Sequence, residues 1–266
     1  WEHAALWIAP LAIAGVSLFG FLFGARFLPL AVRSLANPAT AHKAAQGIAA
    51  PYEFVAFALV IDAVVVAVAY CLGSLQNERR DRSILFWKSL PVSDLTTVLA
   101  KATVPLVLLP VITLVVVVVA EVLVLAVSSL VVAASGGDVQ TLWDHTPFGF
   151  VMGSLLEGLP GITVWYAPLF GWLMLVSAWA KRVAYIWAFA TPLLLGLVEQ
   201  LAFGTSVIWR WLILRVIGLF MGARAFHLGF GPDPTGWTSP HVWIGLGLAA
   251  VFFGGAVWLR RSREPI

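Results

Sequence analysis

The chain has 266 residues, of which 61% are hydrophobic and 11% charged, against roughly 45–50% and about 25% in an ordinary soluble domain. No soluble core can hide that much apolar side chain, so the composition requires a lipid bilayer as solvent. The formal charge of +3 calls for no nucleic acid, and a single cysteine, Cys71, excludes an intrachain disulfide framework and a cysteine-based metal cluster.

Apolar stretches of about 20 residues predict an all-α integral membrane protein with six transmembrane helices in one domain over 1–266. The spans are placed at Leu6–Phe23, Pro51–Leu75, Ala102–Val132, Leu159–Ala180, Val183–Phe203 and His241–Leu259. The first is read as a retained span and not as a signal peptide, because Glu2 and His3 precede it where a signal peptide carries Lys or Arg. Gly24–Ala50 reads as a mixed connection and Lys181-Arg182 as a tight basic turn. Ala133–Gly158 starts polar and turns amphipathic. Pro105 and Pro110 are expected to bend the first turns of the long third span. Gly204–Pro240 is too polar for a seventh simple span and too apolar for a free loop, and suits re-entrant or interfacial helices with Arg210 and Arg215 snorkelling to anchor them.

The basic residues sort to one side. The loops with Arg79, Arg80, Arg82, Lys88 and Lys101, the Lys181-Arg182 turn and the tail with Arg260, Arg261 and Arg263 hold ten Lys/Arg, against six at Arg26, Arg33, Lys43, Arg210, Arg215 and Arg224. The positive-inside rule then puts both termini in the cytoplasm.

The connection Gln76–Lys101 parses into two short helices. The first runs from about Glu78 to Ser89 and cannot continue through Pro91; Ser93 caps the second, with Asp94 complementing its positive end. Phe86 and Trp87 on the first helix want a partner surface. From Glu78 to Lys101 the stretch resembles the loop between spans 2 and 3 of type-2 ABC-transporter permeases. The shared features are the charged opening Glu78-Arg79-Arg80-Asp81, an apolar segment, the break Ser89-Leu90-Pro91-Val92-Ser93 and the lead into the next span at Lys101. Six spans and short re-entrant helices between spans 5 and 6 extend the likeness over most of the chain. Members usually begin with an amphipathic interfacial helix, of which Trp1–Ala4 could be a remnant. The resemblance implies the membrane subunit of an exporter in the cell (inner) membrane. It would work as a homodimer with two copies of an ATP-binding cassette ATPase, which dock on a coupling helix through Glu78, Arg79, Arg80, Asp81, Phe86 and Trp87. The chain has no Gly-x-x-x-x-Gly-Lys-Ser/Thr motif, so ATP and Mg belong to the partner. An amphipathic or lipid-like cargo is expected, and no catalytic residue or metal site within this chain.

Asp62 and Glu121 lie inside apolar runs, where acidic groups are costly, and are candidates for a translocation path or a structural pair. The rival function is a proton-coupled secondary transporter using both of them, with Glu199 as a further candidate carrier. The pairs Gly20/Gly24, Gly149/Gly153 and Gly218/Gly222 have the spacing of close helix approach.

Overall fold

The computed structural model describes residues 2–80, 92–213, 215 and 240–262. It is about 90% helical, with no strands among the described residues. In chain order the helices are α1 (Glu2–Ala25), α2 (Leu28–Ser34), α3 (Pro38–Ser74), α4 (Gln76–Arg80), α5 (Asp94–Thr103), α6 (Leu109–Ala134), α7 (Val139–Asp144), α8 (Phe148–Trp179), α9 (Ala184–Phe203) and α10 (Pro240–Ser262). Residues 207–213 are helical as well. Among the described residues, six helical stretches are long and apolar enough to cross a membrane: Leu6–Ala25, Pro38–Arg80, Asp94–Ala134, Val139–Trp179, Ala184–Phe203 and Val242–Ser262. This is a multi-pass, all-α membrane protein, as the hydropathy pattern requires. The chain packs as two compact units, Trp1–Ala63 with Val111–Gly158, and Val64–Pro110 with Leu159–Ile266.

In the first unit α3 starts well before the expected Pro51. Asn37 accepts the Ala39 N–H at 3.0 Å, and Pro38 takes the first helical position, where no N–H needs a partner. Ala44, Ile48, Tyr52, Val55 and Leu59 then recur every three or four residues and are all buried. From Ile48 onward they meet Ile112, Val116, Val117, Ala120 and Val124 of α6 in one core. Much of the connection read as mixed is therefore helix. Over its 37 residues, α3 reaches about 55 Å at ~1.5 Å per residue, beyond the ~30 Å of a hydrocarbon core.

α6 ends in a Schellman turn: Gly137 donates to the Val132 carbonyl at 2.9 Å and Gly136 to that of Ala133 at 3.0 Å. Gly136 has φ +70, and a Cβ on Gly137 would lie 2.8 Å from Val132 Cγ1, so both positions call for glycine. Asp138 then caps α7, accepting the amides of Gln140 at 3.0 Å and Thr141 at 3.2 Å. The Trp143 indole ties α7 to Ser129 at 2.9 Å. α8 begins at Phe148, ahead of the expected Leu159, because the stretch that reads as amphipathic is already helical.

In the second unit α5 runs into α6 through a π turn, Val104–Leu108, in which the Leu109 amide reaches back to the Val104 carbonyl. Pro105, with no N–H to give, sits in this turn, so the helical ladder is altered where the sequence leads one to expect a bend. Pro192 likewise deprives the Ala188 carbonyl of its donor within α9, and the Trp172 indole N–H of α8 supplies one at 3.0 Å. The Lys181-Arg182 turn is exposed, and Val183 after it adopts φ 53, a left-handed conformation rare for a β-branched residue. Of the glycine pairs, Gly20, Gly24, Gly149 and Gly153 would each have open space, nothing within 4 Å, around an added Cβ, so they bring no helices together among the described residues; Gly218 and Gly222 lie outside the described residues. Close approach is made at Gly171 instead, where a Cβ would stand 3.2 Å from Phe252 Cβ of α10.

The Asp138 cap gives a pH test. The Thr141 hydroxyl, followed by the Gln140 amide, holds this exposed carboxyl below the usual aspartate range. Its stabilisation is therefore complete above about 3.9, the unfolded value, and is lost as the pH falls through the lower native one. Amide exchange at Gln140 and Thr141 should accelerate on acidification through that window, and Asp138→Asn should remove the acid dependence. Unchanged exchange in the wild type would contradict the cap.

Candidate functional site

The loop expected to carry function is bounded by α4 and α5, both in the second unit. Where α3 gives way to α4, the Ser177 hydroxyl of α8 is inserted into the helical ladder. In a continuous helix the Gln76 amide would bond the Leu72 carbonyl. Here the Ser177 hydroxyl donates to Leu72 O at 2.7 Å and accepts the amides of Gln76 at 3.0 Å and Leu75 at 3.1 Å. One donated and two accepted bonds use the full capacity of a hydroxyl. Inserting a side chain into the ladder breaks the helix, and the orphaned end groups find other partners. Ser74 Oγ donates to the Cys71 carbonyl at 3.0 Å, and Lys101 Nζ donates to the Ser74 carbonyl.

Around this break four charges close a neutral network. Glu78 accepts from Lys101 at 2.9 Å and, through its other oxygen, from Arg260; Arg260 Nε donates to Asp94 at 3.0 Å. The Arg260 side chain is 3% exposed and Glu78 11%. Arg79 is buried and gives Nη1 to the Ala178 carbonyl at 2.7 Å, at the end of α8. Ser93 caps α5 as expected, accepting the Thr96 amide at 3.0 Å, and Asp94 in the first turn serves both the helix end and Arg260. Both feet of the 81–91 connection are thus fastened to the ends of α8 and α10.

Of the six residues assigned to partner docking, Glu78, Arg79 and Arg80 all have interactions of their own in the structure, Arg80 with an exposed side chain. Asp81, Phe86 and Trp87 lie outside the described residues, as does the rest of the expected coupling helix. Ser177 and Arg260 carry the arrangement, and the sequence marks neither: a lone serine in an apolar run and one arginine among three in a basic tail give no local signal.

Of the acidic residues of the spans, Asp62 and Glu121 belong to the first unit and Glu199 to the second. Glu121 is fully buried, Asp62 half-buried, and they share no hydrogen bond, so the structural pair is not formed. Glu199 is a cap: its carboxylate accepts the Thr205 hydroxyl at 2.6 Å and the amides of Val207 at 2.7 Å and Ile208 at 2.8 Å, at the start of the helical residues 207–213. Arg215 does not snorkel. It is 2% exposed, with its guanidinium 4.1 Å from the Trp165 ring centroid and 5.1 Å from that of Trp211, and it donates to the Trp165 carbonyl. A Cβ at Gly245 of α10 would lie 2.3 Å from its Nη2, so glycine there makes room for the arginine. Arg210 is exposed; residues 214 and 216–239 of the connection expected to be re-entrant lie outside the described residues. Compared with models of known protein families, curated proteins and solved structures, the chain matches none.

Removing the Ser177 hydroxyl strands the buried amides of Leu75 and Gln76, at about 1–3 kcal/mol per group. Ser177→Ala should therefore lower the thermal midpoint in detergent or nanodiscs clearly, and Ser177→Thr should recover much of the loss. An Ala variant as stable as the wild type would show that the ladder closes without the hydroxyl.

Proposed function

We propose that the chain is the membrane subunit of an ATP-driven ABC exporter: a type-2 permease of the cell (inner) membrane, with both termini cytoplasmic. It works as a homodimer with two copies of a separate ATP-binding cassette ATPase, which holds ATP and Mg. The cargo is amphipathic or lipid-like, which a path lined by Phe- and Val-rich spans would favour. The observation that carries the reading is the fastening of both feet of the 81–91 connection to α8 and α10. A segment that receives a push from an ATPase has to be tied to the spans it moves, and ion pairs with hydrogen-bonded helix ends form such a tie. Phe86 and Trp87 fill a groove of the ATPase, each contributing roughly 1.5–3 kcal/mol on burial. Arg80 and Asp81 stand at the rim, while Glu78 and Arg79 serve the tie behind it. Short helices between spans 5 and 6 dip into the outer leaflet.

A second reading, a proton-coupled secondary transporter using Asp62 and Glu121, is favoured by the burial of Glu121 inside a span. It requires transport to persist without any ATPase chain and to collapse with a protonophore.

The test is the Phe86→Ser/Trp87→Ser double variant. The permease reading expects binding of the ATPase chain to weaken about a hundredfold or more, with the thermal midpoint of the membrane helices unchanged. Full retention of an ATPase with normal stimulated hydrolysis would show that this segment is not the coupling element.

A further inference from the structure

Glu121 sits on α6 in the core of the first unit and is 0% exposed; neither carboxyl oxygen has a hydrogen-bond partner among the described residues. Its neighbours on the same face are Val117, Ala120 and Val124, all buried. The core through which α6 packs brings Ala14, Phe21 and Ala25 from α1, Leu28 and Val32 from α2, Leu142 from α7 and Val151 from α8, none of them titratable. Among the described residues α1 adds the buried hydroxyl of Ser17 and α3 the phenol of Tyr52. Tyr52 is 1% exposed and packs in one core with Val117, Ala120 and Val124, the residues around Glu121, and its buried hydroxyl has no hydrogen-bond partner among the described residues. The Ser128 hydroxyl is committed to the Val124 carbonyl at 2.7 Å.

An ionised carboxylate in such a place would have neither water nor a cation to compensate its charge, and proteins do not leave a buried charge bare. An acid needs no counter-ion, and requires an acceptor for one proton. The Tyr52 hydroxyl is such an acceptor, and, being a donor too, it can return a bond to the acid's carbonyl oxygen. Neither group has another partner to give up. Asp62, half-buried and ten residues further along α3, is not part of this pair.

We propose that Glu121 and Tyr52 form a proton-binding site in the membrane interior, in which Glu121 carries the proton and Tyr52 is its hydrogen-bonding partner. The proton stays while the helices are closed around it. It leaves to water, as Glu–COOH giving Glu–COO⁻ and H⁺, when α3 and α6 separate enough to wet the pair. The site does not depend on which energy source drives transport, and it gives the first unit a polar group that reports whether its core is open.

The measurement is infrared spectroscopy of the full chain in nanodiscs at neutral pH, after growth with glutamate carrying a heavy carboxyl carbon. The wild type should show one isotope-shifted carboxylic-acid band, in addition to the carboxylate bands of the exposed glutamates. Glu121→Gln should abolish that band. Tyr52→Phe should shift it without removing it, since the acid stays and its partner goes. If Glu121→Gln does not fold, the wild type and Tyr52→Phe still decide the matter. An acid band that moves in Tyr52→Phe supports the site, whereas no acid band at neutral pH, or one indifferent to Tyr52→Phe, overturns it.

Discussion

Glu78 is shared between Lys101 and Arg260, and that sharing fixes where three helices can end. α3 cannot run on past Ser74, because the Ser177 hydroxyl occupies the ladder and Lys101 takes the carbonyl that the next turn would have used. α5 must start where Asp94 reaches Arg260, and α10 must extend to Arg260 to meet both carboxylates. Hydrogen bonds to charged groups contribute about 1.5–3 kcal/mol each, and removing one member would leave its partners half-buried and unbalanced. In the proposed permease the same contacts carry motion. The connection that meets the ATPase is fastened at its near end to α8 through Arg79 and at its far end to α10 through Asp94, so it moves together with those spans.

Several buried polar groups of the second unit are paired where helices end or break: Ser177 makes three bonds, Arg260 meets two carboxylates, and the Trp172 indole repairs the carbonyl that Pro192 leaves orphaned. These arrangements serve fixed geometry. In the first unit Glu121 and Tyr52 are buried without such service, and a polar group kept inside a span without a structural bond is the kind that function retains.

The six spans were legible because hydropathy over about 20 residues is set by the bilayer itself. The Ser93 cap and the bend at Pro105 were legible because they depend on residues a few positions apart. The start of α3 was not, since its first turns carry His42, Lys43 and Gln46 on an exposed face and fail an apolar window, though Ala44 and Ile48 already keep the helical stripe. The network escaped local reading for a different reason. Glu78 and Arg260 are 182 residues apart, and nothing near either names the other. Glu78 and Arg79 read as docking charges because a charged opening ahead of an apolar helix looks like a rim; their inward turn depends on where α8 and α10 end. Arg215 reads as an anchor among aromatics, and only the room left by Gly245 turns it inward.

If the network holds the foot of the 81–91 connection rigidly against the ends of α8 and α10, spin labels on the exposed positions 80 and 261 would measure this directly by pulsed electron resonance in nanodiscs. One narrow distance distribution is expected in the otherwise native chain, broadening in the Glu78→Gln background while the helix content is kept. Equal widths with and without Glu78 would contradict the account, because the foot would then be held by something other than the shared carboxylate.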